Sequence, residues 1–155
     1  MASPADIRSQ DSSLKGAEAV TRPRYQFWCW ESIDRHQGTV YLRRLRVVSC
    51  PWFGIYIHWF YASDDDSLHD HPWSFLTFLL RGGYWEHTPG PKGSVLKRWH
   101  APWTVRWCPA HWLHRVEIDP NHRPVTLVFR GGQIRRWGFQ THTGWVPWPE
   151  YKGRR

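Results

Sequence analysis

Cysteine is scarce in this chain. Cys29, Cys50 and Cys108 are the only three, and they form no CxxC pair. An odd count without paired spacing argues against a disulfide framework, so buried free thiols are the expectation. Long hydrophobic runs are also missing. No stretch of 18 apolar residues occurs, which excludes a membrane-spanning helix. The first twenty residues lack the apolar centre of a secretory signal, so the expected location is cytoplasmic. Helical periodicity is absent after residue 30 over any span of 10 residues. Acidic charge is thin, with 13 Asp and Glu against 21 Lys and Arg and a net charge of +8. The arginines are spread along the chain rather than gathered, which reads as a solvated basic surface. No RNP, OB-type or helix-turn-helix pattern accompanies them, so nucleic acid is not an expected partner.

Aromatic residues are abundant: 17% of the chain, with 13 Trp. That composition belongs to a packed domain, and 155 residues fit a single one. Residues 1–22 are rich in Ser, Ala, Asp and Lys and read as a flexible N-terminal arm, with one helical turn near Leu14 to Val20. The domain then covers residues 23–155, beginning where aromatics set in at Tyr25. Short strand-like runs follow at Val40 to Val48, Gly54 to Ala62, Ser74 to Leu80, Tyr84 to His87, Val95 to His100, Thr104 to Trp107, His114 to Ile118, Val125 to Phe129 and Arg136 to Gln140. Gly and Pro clusters separate them, notably Arg81-Gly82-Gly83 and Thr88 to Gly93. Many short strands with such turns predict an all-β sandwich or barrel. In the run from Gly54, Ile55, Ile57 and Trp59 share one face, and Tyr56, His58 and Phe60 share the other.

The informative segment is His69-Asp70-His71-Pro72-Trp73. On an extended chain residues i and i+2 point the same way. The two imidazoles would stand about 7 Å apart along the strand, a spacing that suits two ligands of one metal ion. Asp70 would face the opposite side and is better used to hold a neighbour by a hydrogen bond. His114 opens a strand 43 positions beyond His71, after Pro109. Two or three hairpins bridge that distance and return His114 to the pair. Three imidazoles with an open position suit a catalytic Fe, Zn, Ni, Mn or Cu site.

At these residues the chain resembles the cupin superfamily. His69-Asp70-His71 followed by Gly82-Gly83 is similar to the first cupin motif, and Pro109 with His114 to the second. The resemblance covers roughly residues 40 to 130. The longer strings around both motifs, and the closing Arg135 to Trp148, look like small cupin-like proteins of bacteria and phages. What the resemblance implies is a single-domain double-stranded β-helix, the RmlC-like jelly-roll barrel, with a metal inside. The pattern departs from the family where its glutamate ligand should fall, at Phe75 or Leu76. It also lacks the glycines expected before each motif, and His111 stands in place of one.

Further candidates carry alternative readings. His111 faces away from His114 on a strand but as a loop residue would reach the ion. His58 is either an acid/base group lining the barrel or a hydrogen-bonded core histidine. Glu86 either orients a ligand histidine or sits at the surface. Asp64-Asp65-Asp66 is a solvated acidic loop or a source of a fourth ligand. His87, His100, His122 and His142 read as turn-like or exposed. Trp73, Trp85, Trp99, Trp103, Trp107 and Trp112 read mostly as packing, with a few at a substrate pocket.

The expected function is that of a three-His metalloenzyme, of the mononuclear non-haem iron oxygenase type, acting on a small organic substrate. Zinc hydrolysis or isomerisation would use the same ligands. The alternatives are a non-catalytic ligand-binding or regulatory barrel and a basic-surface interaction protein. The resemblance also implies a homodimer.

Overall fold

The structure is a computed structural model that describes residues 25–34, 39–119 and 121–153. The expected N-terminal arm lies outside the described residues. The described residues form eleven strands: β1 (Gln26–Asp34), β2 (Val40–Ser49), β3 (Gly54–Phe60), β4 (Phe75–Arg81), β5 (Tyr84–Pro89), β6 (Val95–His100), β7 (Val105–Cys108), β8 (Arg115–Ile118), β9 (Val125–Arg130), β10 (Gly138–Thr141) and β11 (Gly144–Pro147). A short helix, α1 (Trp148–Gly153), follows. Among the described residues no helix is long and apolar enough to cross a membrane.

Every pairing between strands is antiparallel. One sheet runs in the order β1-β2-β3-β9-β4-β7, a second in the order β6-β5-β8, and β10-β11 forms a hairpin. Leu42, Phe60 and Leu79 of the first sheet pack with Tyr84, Val116 and Ile118 of the second, so an apolar seam holds the two sheets face to face as a jelly roll. A second cluster of Tyr56, Phe75, Cys108 and Val128 fills the interior beside it. Cys50 and Cys108 are buried free thiols, as expected, and Cys29 is partly exposed.

The turn between β4 and β5 depends on its glycines. Gly82 has φ +67, a left-handed conformation that glycine adopts without strain. A Cβ on Gly83 would fall 2.1 Å from the Trp99 ring. The pair therefore lets β5 turn tightly under Trp99.

The two faces of the six-stranded sheet differ sharply. Registered rows on the outside read Trp30, Leu45, Ile57, Leu127, Phe78, Val105 and Phe27, Val48, Ile55, Phe129, Leu76, Trp107. On the inside one row reads Glu31, Arg44, His58, Thr126, Leu79 and the next Cys29, Arg46, Tyr56, Val128, Thr77, Arg106. The expected division of β3 into an Ile55, Ile57, Trp59 face and a Tyr56, His58, Phe60 face is what the structure has. The tryptophans correct a different expectation. Trp85, Trp99, Trp103, Trp107 and Trp112 are all exposed, because the interior is filled by smaller apolar and polar side chains.

Candidate metal centre

The segment from Leu68 to His71 lies between the start of β8 and strand β10. The backbones of His69 and His114 exchange two hydrogen bonds of 2.9 Å, and His71 N–H donates to Ala110 at 3.1 Å. On its other side His69 bridges to Phe139 of β10. This pairing fixes the extended backbone that puts both imidazoles of the His-Asp-His segment on one side. Asp70 points the other way, as the alternation requires. It is 2% exposed. Its carboxylate accepts from Gly138 N–H at 2.7 Å and Trp145 Nε1 at 3.0 Å, and pairs with Arg135 at 2.9 Å. Asp70 thus ties the β10-β11 hairpin across the histidine segment.

His69, His71 and His114 come together. Each pair of their rings has a centroid separation of 5.1 Å. One nitrogen from each lies within 4.8 Å of the others, and His71 Nε2 is 2.8 Å from His114 Nε2. Metal–nitrogen bonds of about 2.1 Å place cis ligand atoms roughly 3.0–3.4 Å apart, so the three nitrogens need only small shifts to share an ion. The donor set also fits. Burial holds His69 down to about 4, partly offset by Asp64, and burial with the neighbouring His114 holds His71 well below the usual histidine range. Both imidazoles are therefore neutral at pH 7, the form that metal ligation requires.

Glu86, on β5, is the hub behind His114. It is buried and accepts from His114 Nδ1 at 3.0 Å, His100 Nε2 at 3.0 Å and Trp112 Nε1 at 3.1 Å, with Arg106 as a further donor. Burial pushes its pKa up, but the hydrogen bonds from His100 and His114 and the charge of Arg106 override that and hold it far below the ordinary range. A carboxylate only accepts, so His114 must carry its proton on Nδ1. Its Nε2 lone pair then faces His71 and the centre.

On the other flank Asp64 is buried, not solvated. It accepts from Val116 N–H at 2.6 Å and from the Tyr41 hydroxyl, and lies 4.0 Å from His69 Nδ1. That distance is too long for a hydrogen bond, so Asp64 acts on His69 by its charge. Asp66 remains exposed on the same loop.

The remaining candidates separate. His111 is exposed in the turn before His114 and lies outside the cluster. His58 faces the interior between Tyr56 and Phe60, and its buried Nε2 has no hydrogen-bond partner among the described residues, which corrects the hydrogen-bonded reading. His100 was expected to be exposed, yet it is buried and bonded to Glu86. Its strand is exposed at every other position, so the string Val95 to His100 carries no inward signal except register with Tyr84. His87 is partly buried and meets Glu117 Oε2 at 2.7 Å. Phe75, at one of the positions where a glutamate ligand was expected, packs its ring 4.9 Å from His71 and 6.3 Å from His114. A phenyl ring closes that side of the triad.

His69 opens onto a cavity of about 470 Å³ walled by Tyr41, Asp64, Trp137, Phe139 and Trp148. A larger groove of about 740 Å³ touches none of the three histidines. Size does not select the site here, since only the smaller cavity meets candidate chemistry.

No protein-family model matches the chain, and no curated protein matches it. Solved structures do. A cupin-2 domain protein from Rhodospirillum rubrum superposes over 75% of this chain and 77% of its own, with a TM-score of 0.59 at 10% identity. FeII HppE in complex with substrate matches over 66% of this chain at TM-score 0.54 and 11% identity, and this chain spans 55% of HppE. KdgF from Halomonas sp. matches over 70% of this chain and 96% of its own at TM-score 0.50 and 16% identity. At such identities the likeness is one of fold. The chain has the cupin fold, an all-β jelly roll with a histidine triad inside it.

Proposed function

We propose that this chain is a cupin metalloenzyme, in which His69, His71 and His114 hold one divalent transition metal and a small organic substrate is transformed beside it. The observation that carries the reading is the triangle of rings at 5.1 Å with Glu86 fixing the tautomer of His114. Iron is the preferred metal, with zinc, nickel, manganese and copper as alternatives. A bound iron would supply the redox chemistry of a mononuclear non-haem oxygenase, whereas zinc would support hydrolysis or isomerisation. The chain's own residues orient the ligands and shape the access. Glu86 holds the His114 ring, the His114 backbone holds His69, and Phe75 excludes water from one flank. The aromatic walls of the cavity at His69 accept the substrate's apolar part.

Titration of cobalt(II) into metal-free protein tests the site. The expected result is one equivalent with visible absorption bands, abolished in His71→Ala. Iron-loaded protein that consumes dioxygen only with an added organic compound supports the oxygenase class. Protein that takes up no dioxygen but copurifies with a tightly held small molecule supports a binding module instead.

The outer sheet face favours a second copy of the chain as partner. Six strands at about 4.8 Å spacing and five to six residues at about 3.3 Å give a flat footprint of roughly 29 by 18 Å, about 520 Å², the size of a small, weak interface rather than the ~800 Å² per partner of a standard one. The first 24 residues contain few apolar side chains and match this surface poorly. Sedimentation should give twice the 18.6 kDa chain mass, and Trp107→Glu should return it to one. A monomeric wild type overturns the dimer, and a dimer appearing only on deletion of residues 1–24 assigns the face to that segment.

A further inference from the structure

Two guanidiniums line the barrel interior beside the triad with a single carboxylate between them. Arg44 and Arg46 stand on the inner face of β2, as direct partners of His58 and Tyr56 on β3. Arg44 lies 5.0 Å over the Tyr56 ring. Both arginines bond the same oxygen of Glu31: Arg44 through Nε at 2.9 Å, Arg46 through Nη2 at 2.6 Å. On the next row Arg130 sits over Tyr56 and Trp73. Among the described residues it donates to neutral acceptors, namely Tyr56, Ser49, and the Cys50 and Gly131 carbonyls. Three cations thus surround Tyr56 with one anion among the described residues.

The same patch holds three buried polar atoms without hydrogen-bond partners among the described residues: Arg46 Nε, His58 Nε2 and Thr126 Oγ1. They come from adjacent strands. His58 is the direct partner of Arg44 on one side and of Thr126 on the other. Arg46 is 9% exposed and Thr126 2%, so solvent does not satisfy them. Buried polar groups are almost always bonded, and a patch that leaves three donors open on one face is built for something that accepts from all of them. Its excess positive charge selects an anion. The triad is adjacent: Phe75, the strand partner of Arg130, packs its ring on His71.

We infer that Arg44, Arg46, His58 and Thr126 form an oxyanion subsite, which anchors a carboxylate or phosphoryl group of the substrate while the rest of the molecule faces the triad. This rests on the proposed function for the identity of the ligand as substrate, but not for its charge. Arg46 offers its open Nε–H to such a group, and a donor on a charged guanidinium makes one of the stronger hydrogen bonds to an oxyanion. Burial and the charge of Arg44 keep His58 neutral, so it meets the anion as an N–H donor, and the Thr126 hydroxyl adds the third contact.

The test is calorimetric titration of benzoate, phenyl phosphate, benzamide and benzylamine into zinc-loaded protein and into metal-free protein. One or both anions should bind at least tenfold tighter than benzamide in either form, and which anion binds tells carboxylate from phosphoryl. Thr126→Val and His58→Leu remove polar atoms with no hydrogen-bond partner among the described residues, so they should keep or raise the melting temperature while weakening anion binding at least tenfold. Arg46→Gln should do the same to binding at some expense of folding. Equal binding of benzamide or benzylamine, no binding of either anion, or unchanged affinity in both neutral variants overturns the subsite. Anion binding that persists in metal-free His114→Ala while that variant takes up no metal leaves the subsite standing on its own. Loss of anion binding with the metal assigns the anion to the metal instead and overturns it.

Discussion

The two faces of the six-stranded sheet invert the usual arrangement of a soluble barrel. The outer rows are almost wholly apolar, with Trp30 63% and Trp107 65% exposed. The inner rows carry arginines, a histidine, threonines and a glutamate among a modest number of apolar residues. Apolar side chains normally accumulate inside because burial stabilises them. Here the interior is given to polar groups that hold one another or wait unpartnered around the triad, and the apolar seam of Leu42, Phe60, Leu79, Tyr84, Val116 and Ile118 carries the packing. The difference separates the two sides of one sheet: the inside gathers polar side chains beside the triad, and the outside presents an apolar surface.

Breaking the inner network should have the largest effect. Glu86→Gln removes the charge opposite Arg106 and turns one of the two oxygens that accept from His114 and His100 into an amide donor. Breaking a buried pair of this kind costs about 3–5 kcal/mol, and loss of a ligand's orienting partner costs roughly 10–100-fold in metal affinity. Thermal melts and metal titration of the variant check both numbers. Truncation in the apolar seam comes next. Leu79→Ala should cost about 3 kcal/mol in denaturant unfolding, and Leu127→Ala on the outer face less than half of that. Equal costs would mean that the outer face is as closely packed as the seam.

Acidification sharpens the contrast through the chamber's histidines. Burial holds His69 down to about 4 and His58 down to about 3. Ordinary histidines titrate near about 6.5, so between that pH and about 3 the unfolded chain binds more protons than the folded one. The stability contributed by the neutral rings is full above pH 6.5 and drains as pH falls through this window. Urea midpoints of metal-free protein should drop steadily from pH 6.5 to 4 and lie flat from 7 to 8. His58→Leu should shallow the slope. The smallest effect belongs to Thr126→Val, which removes a hydroxyl with no partner and should leave the melting temperature unchanged or raised.

Much of the fold was legible because strand alternation and Gly-Pro turns mark it directly, as from Gly54 to Phe60 and at Gly82-Gly83. The triad was legible for the same reason: His69 and His71 are two apart on an extended chain, and His114 opens a strand. Glu86 was legible as one of two readings. Burial alone decides between a surface glutamate and a hub, and burial is a property of the partner sheet. His100 was hidden because only the last residue of β6 turns inward. Strand β1 was hidden because its aromatic residues face solvent at a sheet edge. The outward tryptophans misled in the same way, since aromatic content by itself does not say which face of a strand is covered. The unpartnered atoms around His58 require three strands in register and leave no trace in any single segment.

The central claim, that His69, His71 and His114 hold one metal ion, is tested most directly by elemental analysis of purified untagged protein beside His69→Ala and His114→Ala. The account predicts about one equivalent of a transition metal in the wild type, after anaerobic reconstitution with iron if needed, and none in either variant. A wild type that takes up neither iron nor zinc, or variants that keep the metal, would contradict it.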